Sequence, residues 1–220
     1  LIDLKEKEAL NKIFNEGSIF FAHGFDKVRK KYHVREFEKL CQIFFKSKYC
    51  LLVSSGTAAI KIALKSLGVG RGDHVLTQSF NFIATIEAIL DIGAIPKIVD
   101  IDESLNMCPI DLRKKITKKT KAIIPVHMLG FSSDLRQIKL EAKKKNIKVL
   151  EDNCESIGAK YKNLFLGTCG DAGVFSFDFG KIITTGEGGL ILTNDKQIYQ
   201  YCKEYHDHGH MNLKNFSRGN

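Results

Sequence analysis

Between residues 49 and 151 the spacing of apolar residues switches repeatedly between two periods, and this alternation restricts the fold more than any other property of the chain. Apolar runs of strand length cover 49–53, 74–77, 95–99, 121–125 and 147–151, and helical periodicity fills the gaps at 57–67, 81–91, 109–117 and 133–145. Ile60, Ala63, Leu64 and Leu67 fall at i, i+3, i+4 and i+7, which gives the first of these helices one apolar face. Strands joined through helices predict an α/β architecture, a mostly parallel sheet with helices on both faces. Helical patterns over 3–16 and 33–46 come first, so residues 1–46 read as an N-terminal helical segment ahead of a sheet-bearing region, 47–220. Gly68-Val69-Gly70-Arg71-Gly72-Asp73 precedes a strand instead of following one, so it is a helix stop and not a dinucleotide fingerprint.

Sheets of this kind bind ligands outside the carboxyl ends of their strands. Ser55, Gly56 and Thr57 lie there, between a strand and a helix, where free backbone N–H groups make either an anion site or an ordinary N-cap. Asp152 follows strand 147–151 into the same cleft, while alternation sends Glu151 to the other face. In Gly173–Lys181 the residues Phe175, Phe177 and Phe179 alternate with Val174, Ser176 and Asp178, the period of a strand with one face in a core. That pattern puts Lys181 at a strand end and lets Ser176 and Lys181 flank one cavity. A lysine set against buried aromatics is poorly hydrated, and its free amine attacks carbonyl carbons in Schiff-base chemistry. Next, Thr184-Thr185-Gly186-Glu187-Gly188-Gly189 packs three glycines into a turn where backbone must approach something closely, a ligand being one candidate. A phosphate-binding P-loop is excluded, because it would need Gly in place of Phe175 and Ser or Thr in place of Ile182.

The segment from Phe175 to Gly189 resembles the cofactor-lysine segment of the DegT/DnrJ/EryC1/StrS aminotransferases, pyridoxal-phosphate enzymes that mostly aminate keto-sugars. Three more motifs share that resemblance in order and approximate spacing: Ser54-Ser55-Gly56-Thr57-Ala58-Ala59, Gln78-Ser79-Phe80-Asn81-Phe82-Ile83-Ala84-Thr85, and Glu151-Asp152-Asn153-Cys154-Glu155-Ser156-Ile157-Gly158-Ala159. The resemblance implies the large domain of the fold type I (aspartate aminotransferase-like) transferases over 47–220, with pyridoxal 5'-phosphate as cofactor. It implies that Lys181 holds the cofactor covalently and then carries a proton between substrate and cofactor carbons. Asp152 would keep the pyridine nitrogen protonated so that the ring accepts an electron pair. Phe82 would lie on the ring, and Ser55, Gly56, Thr57 and Ser176 would bind the phosphate. Glu155 stands where one common pattern has Gln or His bonded to the phenolic oxygen, and other subgroups carry an acid there.

The same resemblance implies glutamate as amino donor and a keto-sugar as acceptor, in surface polysaccharide or lipopolysaccharide biosynthesis. A nucleotide-linked 4-keto-6-deoxyhexose is the usual acceptor. Asp178-Phe179-Gly180-Lys181 and the histidine-glycine stretch 206–210 resemble instead the subgroup that aminates an 8-keto octulosonate. A homodimer is implied, as is a greater length, with a small C-terminal domain and a segment after 217–220 that reaches the partner subunit's cofactor phosphate; this chain is then a large-domain portion. A sister subgroup carries histidine at the lysine position and removes a hydroxyl group, so Lys181 points to transamination. The reading from another class is a regulatory or structural protein that keeps the fold without turnover.

The remaining features exclude other functions. The net charge of +9 is carried by amphipathic patterns such as 112–119, without the zinc-finger, RNA-binding or helix-turn-helix signals of a nucleic-acid partner, though it would suit a diphosphate-bearing substrate. No apolar run reaches the roughly 20 residues of a membrane span, and the charged start 1–8 lacks a signal-peptide core, which predicts a cytoplasmic location. Cys41, Cys50, Cys108, Cys154, Cys169 and Cys202 form no CxxC pair and read as reduced thiols. His206-Asp207-His208-Gly209-His210 could bind zinc or nickel, but no cysteine or acidic pattern completes a site, so no metal is expected.

Overall fold

Five of the strands expected from periodicity form, each within one residue of its expected bounds, in a computed structural model that describes residues 2–17, 27 and 31–208. They are β1 (Tyr49–Val53), β2 (His74–Gln78), β3 (Ile95–Val99), β4 (Thr120–Ile124) and β5 (Lys148–Asp152). The helices are α1 (Leu4–Asn15), α2 (His33–Phe45), α3 (Gly56–Ser66), α4 (Ala84–Asp91), α5 (Pro109–Lys115), α6 (Leu135–Lys144) and α7 (Lys196–His206). Helix α4 begins three residues later than its pattern suggests, which leaves Phe82 in the loop before it. Periodicity did not show α7, the short hairpin β6 (Lys160–Tyr161) and β7 (Leu164–Phe165), or β9 (Gly189–Thr193), which follows β8 (Ala172–Ser176).

The main sheet runs β1-β9-β8-β5-β4-β2-β3. Strand β9 is antiparallel to both β1 and β8, and the other neighbouring strands are paired parallel. On one face Leu51, Ala122, Ile124, Leu150, Val174 and Ile191 meet α3, α4 and α7. On the other, Leu76, Val99, Ile123 and Val149 meet α5 and α6, while Cys50, Phe175, Leu190 and Leu192 meet Cys41 and Phe45 of α2. Alternation along each strand thus feeds two cores. Helix α2 belongs to one of them, whereas α1 buries none of its residues.

The segment around Lys181 departs from its sequence pattern. Strand β8 stops at Ser176, where its pairing with β9 ends at Gly189. Phe175 and Phe177 are buried, but Phe179 is 80% exposed and Val174 is buried as well. Lys181 therefore sits in a turn beyond the strand, fixed by its backbone N–H to the Asp178 carbonyl at 3.0 Å. Of the glycines that follow, Gly189 is required by the protein's own backbone. A Cβ on Gly189 would lie 2.2 Å from the Ser55 carbonyl oxygen and 2.9 Å from the Gly56 nitrogen, because β9 crosses directly under the start of α3. Gly189→Ala is expected to destabilise the fold by about 3 kcal/mol, the upper end for overpacking, since both obstructing groups are backbone. Thermal melting checks this, and an unchanged midpoint would refute the contact.

The charge excess is localised. Twelve of the 34 Lys and Arg, but three of the 25 Asp and Glu, lie between residues 110 and 148, so this segment holds the whole of it. All six cysteines are unpaired. No helix among the described residues is long and apolar enough to cross a membrane.

Candidate active site

All eight residues singled out from the sequence line one cleft of about 490 Å³ at the carboxyl ends of the strands: Ser55, Gly56, Thr57, Phe82, Asp152, Glu155, Ser176 and Lys181. Its remaining lining includes Thr85, Met128, Cys154 and Glu187. Helices α5 and α6, which carry most of the localised cations, contribute nothing to it. The positive excess is therefore not arranged around the cleft.

One end is built by α3. Ser55 caps the helix, its hydroxyl accepting from the Ala58 N–H at 3.1 Å. Gly56 and Thr57 occupy the first turn, whose N–H groups have no carbonyl partner within the helix and carry the positive end of its dipole. The cap and the anion site are thus compatible, since the cap uses a later amide. Gly56 is required by contact: a Cβ there would lie 2.8 Å from Ser176 Cβ and 3.1 Å from Cys154 Sγ. This close approach brings the Ser176 hydroxyl to the helix start. That hydroxyl also accepts from the Asp178 N–H at 3.2 Å.

The floor is Asp152, 3% exposed at the end of β5. Its Oδ2 accepts from the Thr85 hydroxyl at 2.8 Å and its Oδ1 from the Cys154 N–H at 3.1 Å. Glu151 points to the opposite face, as alternation requires. It is fully buried and accepts from the backbone N–H groups of Gly167, Cys169 and Gly170 at 3.0, 2.7 and 2.6 Å. It also pairs with His127 Nε2 at 3.1 Å, while His127 Nδ1 accepts from the Ser133 N–H. Those partners assign the ring proton to Nε2. Two adjacent acids are thereby separated, one binding a loop and the other facing the cleft.

Lys181 completes the opposite wall. Its Nζ is 4.0 Å from Glu155 Oε1 and 5.7 Å from the Phe82 ring centre, with the side chain 22% exposed. The neighbours are thus one acid and one exposed ring, not the row of buried phenylalanines expected from the strand pattern. Glu155 also accepts from the Leu129 N–H at 3.4 Å. Burial and then the Asp152 carboxylate push the Cys154 thiol well above its ordinary range. A thiol so held stays protonated and is a poor nucleophile.

Thr85 and Cys154 were missed as site residues, although both stand inside motifs read from the sequence. The signal was available for Thr85: it is buried on α4 with Ala88 and Ile89, a hydroxyl on an apolar face. His206 ends α7 and lines a separate hollow with Ser54, Lys61 and Tyr205, away from the cleft. His210 and the region 217–220 lie outside the described residues.

Known proteins resemble this chain throughout. The model of the DegT/DnrJ/EryC1/StrS aminotransferase family matches residues 22–219. GDP-perosamine synthase of Escherichia coli O157:H7 is 40% identical over 206 residues, 93% of this chain and 54% of that protein. The aminotransferase from Psychrobacter cryohalolentis superimposes with a TM-score of 0.88 at 34% identity, covering 95% of this chain and 52% of the other. GDP-4-keto-6-deoxymannose-3-dehydratase, solved with a trapped PLP-glutamate geminal diamine, superimposes with a TM-score of 0.84 at 31% identity, covering 94% and 53%. The chain spans about half the length of these relatives. The matched architecture is the large domain of the fold type I transferases, and the chain belongs to the DegT/DnrJ/EryC1/StrS aminotransferase family.

Proposed function

We propose that this chain is the cofactor-binding part of a pyridoxal-phosphate-dependent sugar aminotransferase. The observation that carries the reading is the convergence, in one cleft, of a lysine, a buried carboxylate and an open helix N-terminus. These groups match the three parts of the cofactor chemically. The first-turn amides of Gly56 and Thr57 with the Ser176 hydroxyl suit a phosphate. The Asp152 carboxylate suits a protonated ring nitrogen. The Lys181 amine suits an aldehyde.

When bound, pyridoxal phosphate supplies a carbonyl carbon that takes amines and a ring that accepts an electron pair. Lys181 would hold that carbon covalently, and its Nζ, once freed by an amino donor, would be placed to carry a proton. Asp152 would keep a proton at the ring nitrogen. Phe82 would cover the ring and exclude water, a contact worth roughly 0.5–1.5 kcal/mol. Glu155, facing Lys181 Nζ, orients the ammonium form of that side chain. Its carboxylate is also available to a phenolic oxygen.

The relative that makes GDP-perosamine favours a nucleotide-linked keto-sugar as acceptor over the octulosonate, and the PLP-glutamate adduct of the dehydratase favours glutamate as donor. A homodimer suits a cleft that exposes Phe82 and Phe179, with Ile83, Leu129, Ile182 and Ile183 exposed close to lining residues in the chain. Residues 47–220 would form the large domain, with α2 packed against its strands. Mixing the full-length protein with pyridoxal phosphate and then glutamate, followed in the visible range, tests the reading. A band that forms and is consumed by glutamate supports it, and protein that takes up no cofactor overturns it.

Asp152→Asn is expected to keep the band and to slow the glutamate reaction by on the order of a hundredfold or more, the scale of losing one positioned charge at a reacting centre. The amide cannot hold the ring proton. Stopped-flow absorbance measures the rate, and a wild-type rate would remove Asp152 from the mechanism.

A further inference from the structure

We infer that Thr85 is a positioning residue that sets the ring-nitrogen acid, an inference that rests on the function proposed above. Thr85 sits in the first turn of α4, 2% exposed, on a helix face otherwise buried through Ala88 and Ile89. Its hydroxyl donates to Asp152 Oδ2 at 2.8 Å, and its backbone N–H donates to the Phe82 carbonyl at 3.2 Å. One residue therefore ties the floor of the cleft to the loop that carries its exposed ring.

The hydrogen bond matters because of what else holds the carboxylate. Oδ1 accepts from the Cys154 N–H, a neighbour in the same backbone turn, whereas Thr85 reaches Asp152 from 67 residues away in the chain. With a side-chain hydroxyl on one oxygen and a backbone N–H on the other, rotation about the Cβ–Cγ bond is restrained. Without the hydroxyl, one oxygen in a 3% exposed site loses its fixed donor and the carboxylate can turn. Valine has almost the volume of threonine but no hydroxyl, so the two differ chiefly in this bond. Serine keeps the bond and loses a methyl group.

The test uses the full-length protein loaded with pyridoxal phosphate. Thr85→Val is expected to lower the rate of the glutamate half-reaction about tenfold to a hundredfold, the loss for one hydrogen bond to a charged group, with KM for glutamate within about twofold of wild type. Thr85→Ser is expected to restore most of the rate. In an Asp152→Asn background Thr85→Val is expected to add less than about twofold, because the hydroxyl then has no carboxylate to fix. A general packing defect would lower the rate in both backgrounds. If the valine variant does not fold, Thr85→Ala removes the same bond without inserting a methyl group beside the carboxylate, and the same comparison applies. An enzyme that binds cofactor and reacts at the wild-type rate with Thr85→Val overturns the role of Thr85 alone, and so does full additivity with Asp152→Asn. A full-length protein that takes up no pyridoxal phosphate overturns both this role and the function on which it rests.

Discussion

Lys181→Ala in the full-length protein is expected to abolish the visible band of covalently held cofactor and to lower amino transfer to a keto-sugar by about a thousandfold or more. On the function proposed above, the variant would remove both a covalent anchor and a general base, and the second loss alone is typically 10²–10⁴-fold. The fold should survive, because the turn is held without the lysine side chain. Gly180 N–H donates to Asp178 Oδ2 at 3.0 Å and Thr185 N–H to the Phe177 carbonyl at 3.1 Å. The Thr184 hydroxyl also donates to the Phe177 carbonyl, at 3.0 Å. Circular dichroism and melting should therefore match wild type. Cofactor should still bind, more weakly and without the band, through Ser55, Gly56, Thr57, Ser176 and Asp152. Transfer at the wild-type rate by Lys181→Ala would show that another group supplies the amine.

The neighbouring acid should give the opposite result, with a large loss of stability. Glu151→Gln is expected to cost about 3–5 kcal/mol, the range for removing one partner from a buried charged network. Four donors converge on this carboxylate, and the amide turns an NH₂ towards at least one of them. For a chain of this size that loss lowers the melting midpoint by roughly 6–20 °C. The loop 167–170 should open first, since either Gly167 or the pair Cys169 and Gly170 then faces an NH₂ in place of its acceptor. Hydrogen exchange would report it. A midpoint within 2 °C of wild type would mean that the loop holds itself. Asp152→Asn, one residue away, should shift the midpoint far less while affecting the chemistry, so the pair separates stability from function.

The opposite facing of these two acids was legible in the sequence, because a strand turns successive side chains to opposite faces whatever the rest of the protein does. For the same reason the helix start at Ser55-Gly56-Thr57 and the five first strands could be read directly: each depends on residues within a few positions of one another. The four motifs also brought eight residues into consideration, and all eight of them line one cleft. What the local pattern could not carry was the placement of β9. Its antiparallel insertion between β1 and β8 ends β8 at Ser176, puts Lys181 in a turn and presses Gly189 against the Ser55 carbonyl. The phenylalanine alternation around Lys181 therefore continued past the strand that it seemed to define. Likewise the contacts Thr85–Asp152 and Lys181–Glu155 join segments far apart in the chain, set by strand order and helix docking. Sequence alone determined the α/β class, the faces of the two acids and eight of the residues that line the cleft. Tertiary structure decided which side chains hold them, because sheet order and long-range pairing are fixed by packing and loop closure across the whole chain, not by neighbours along it.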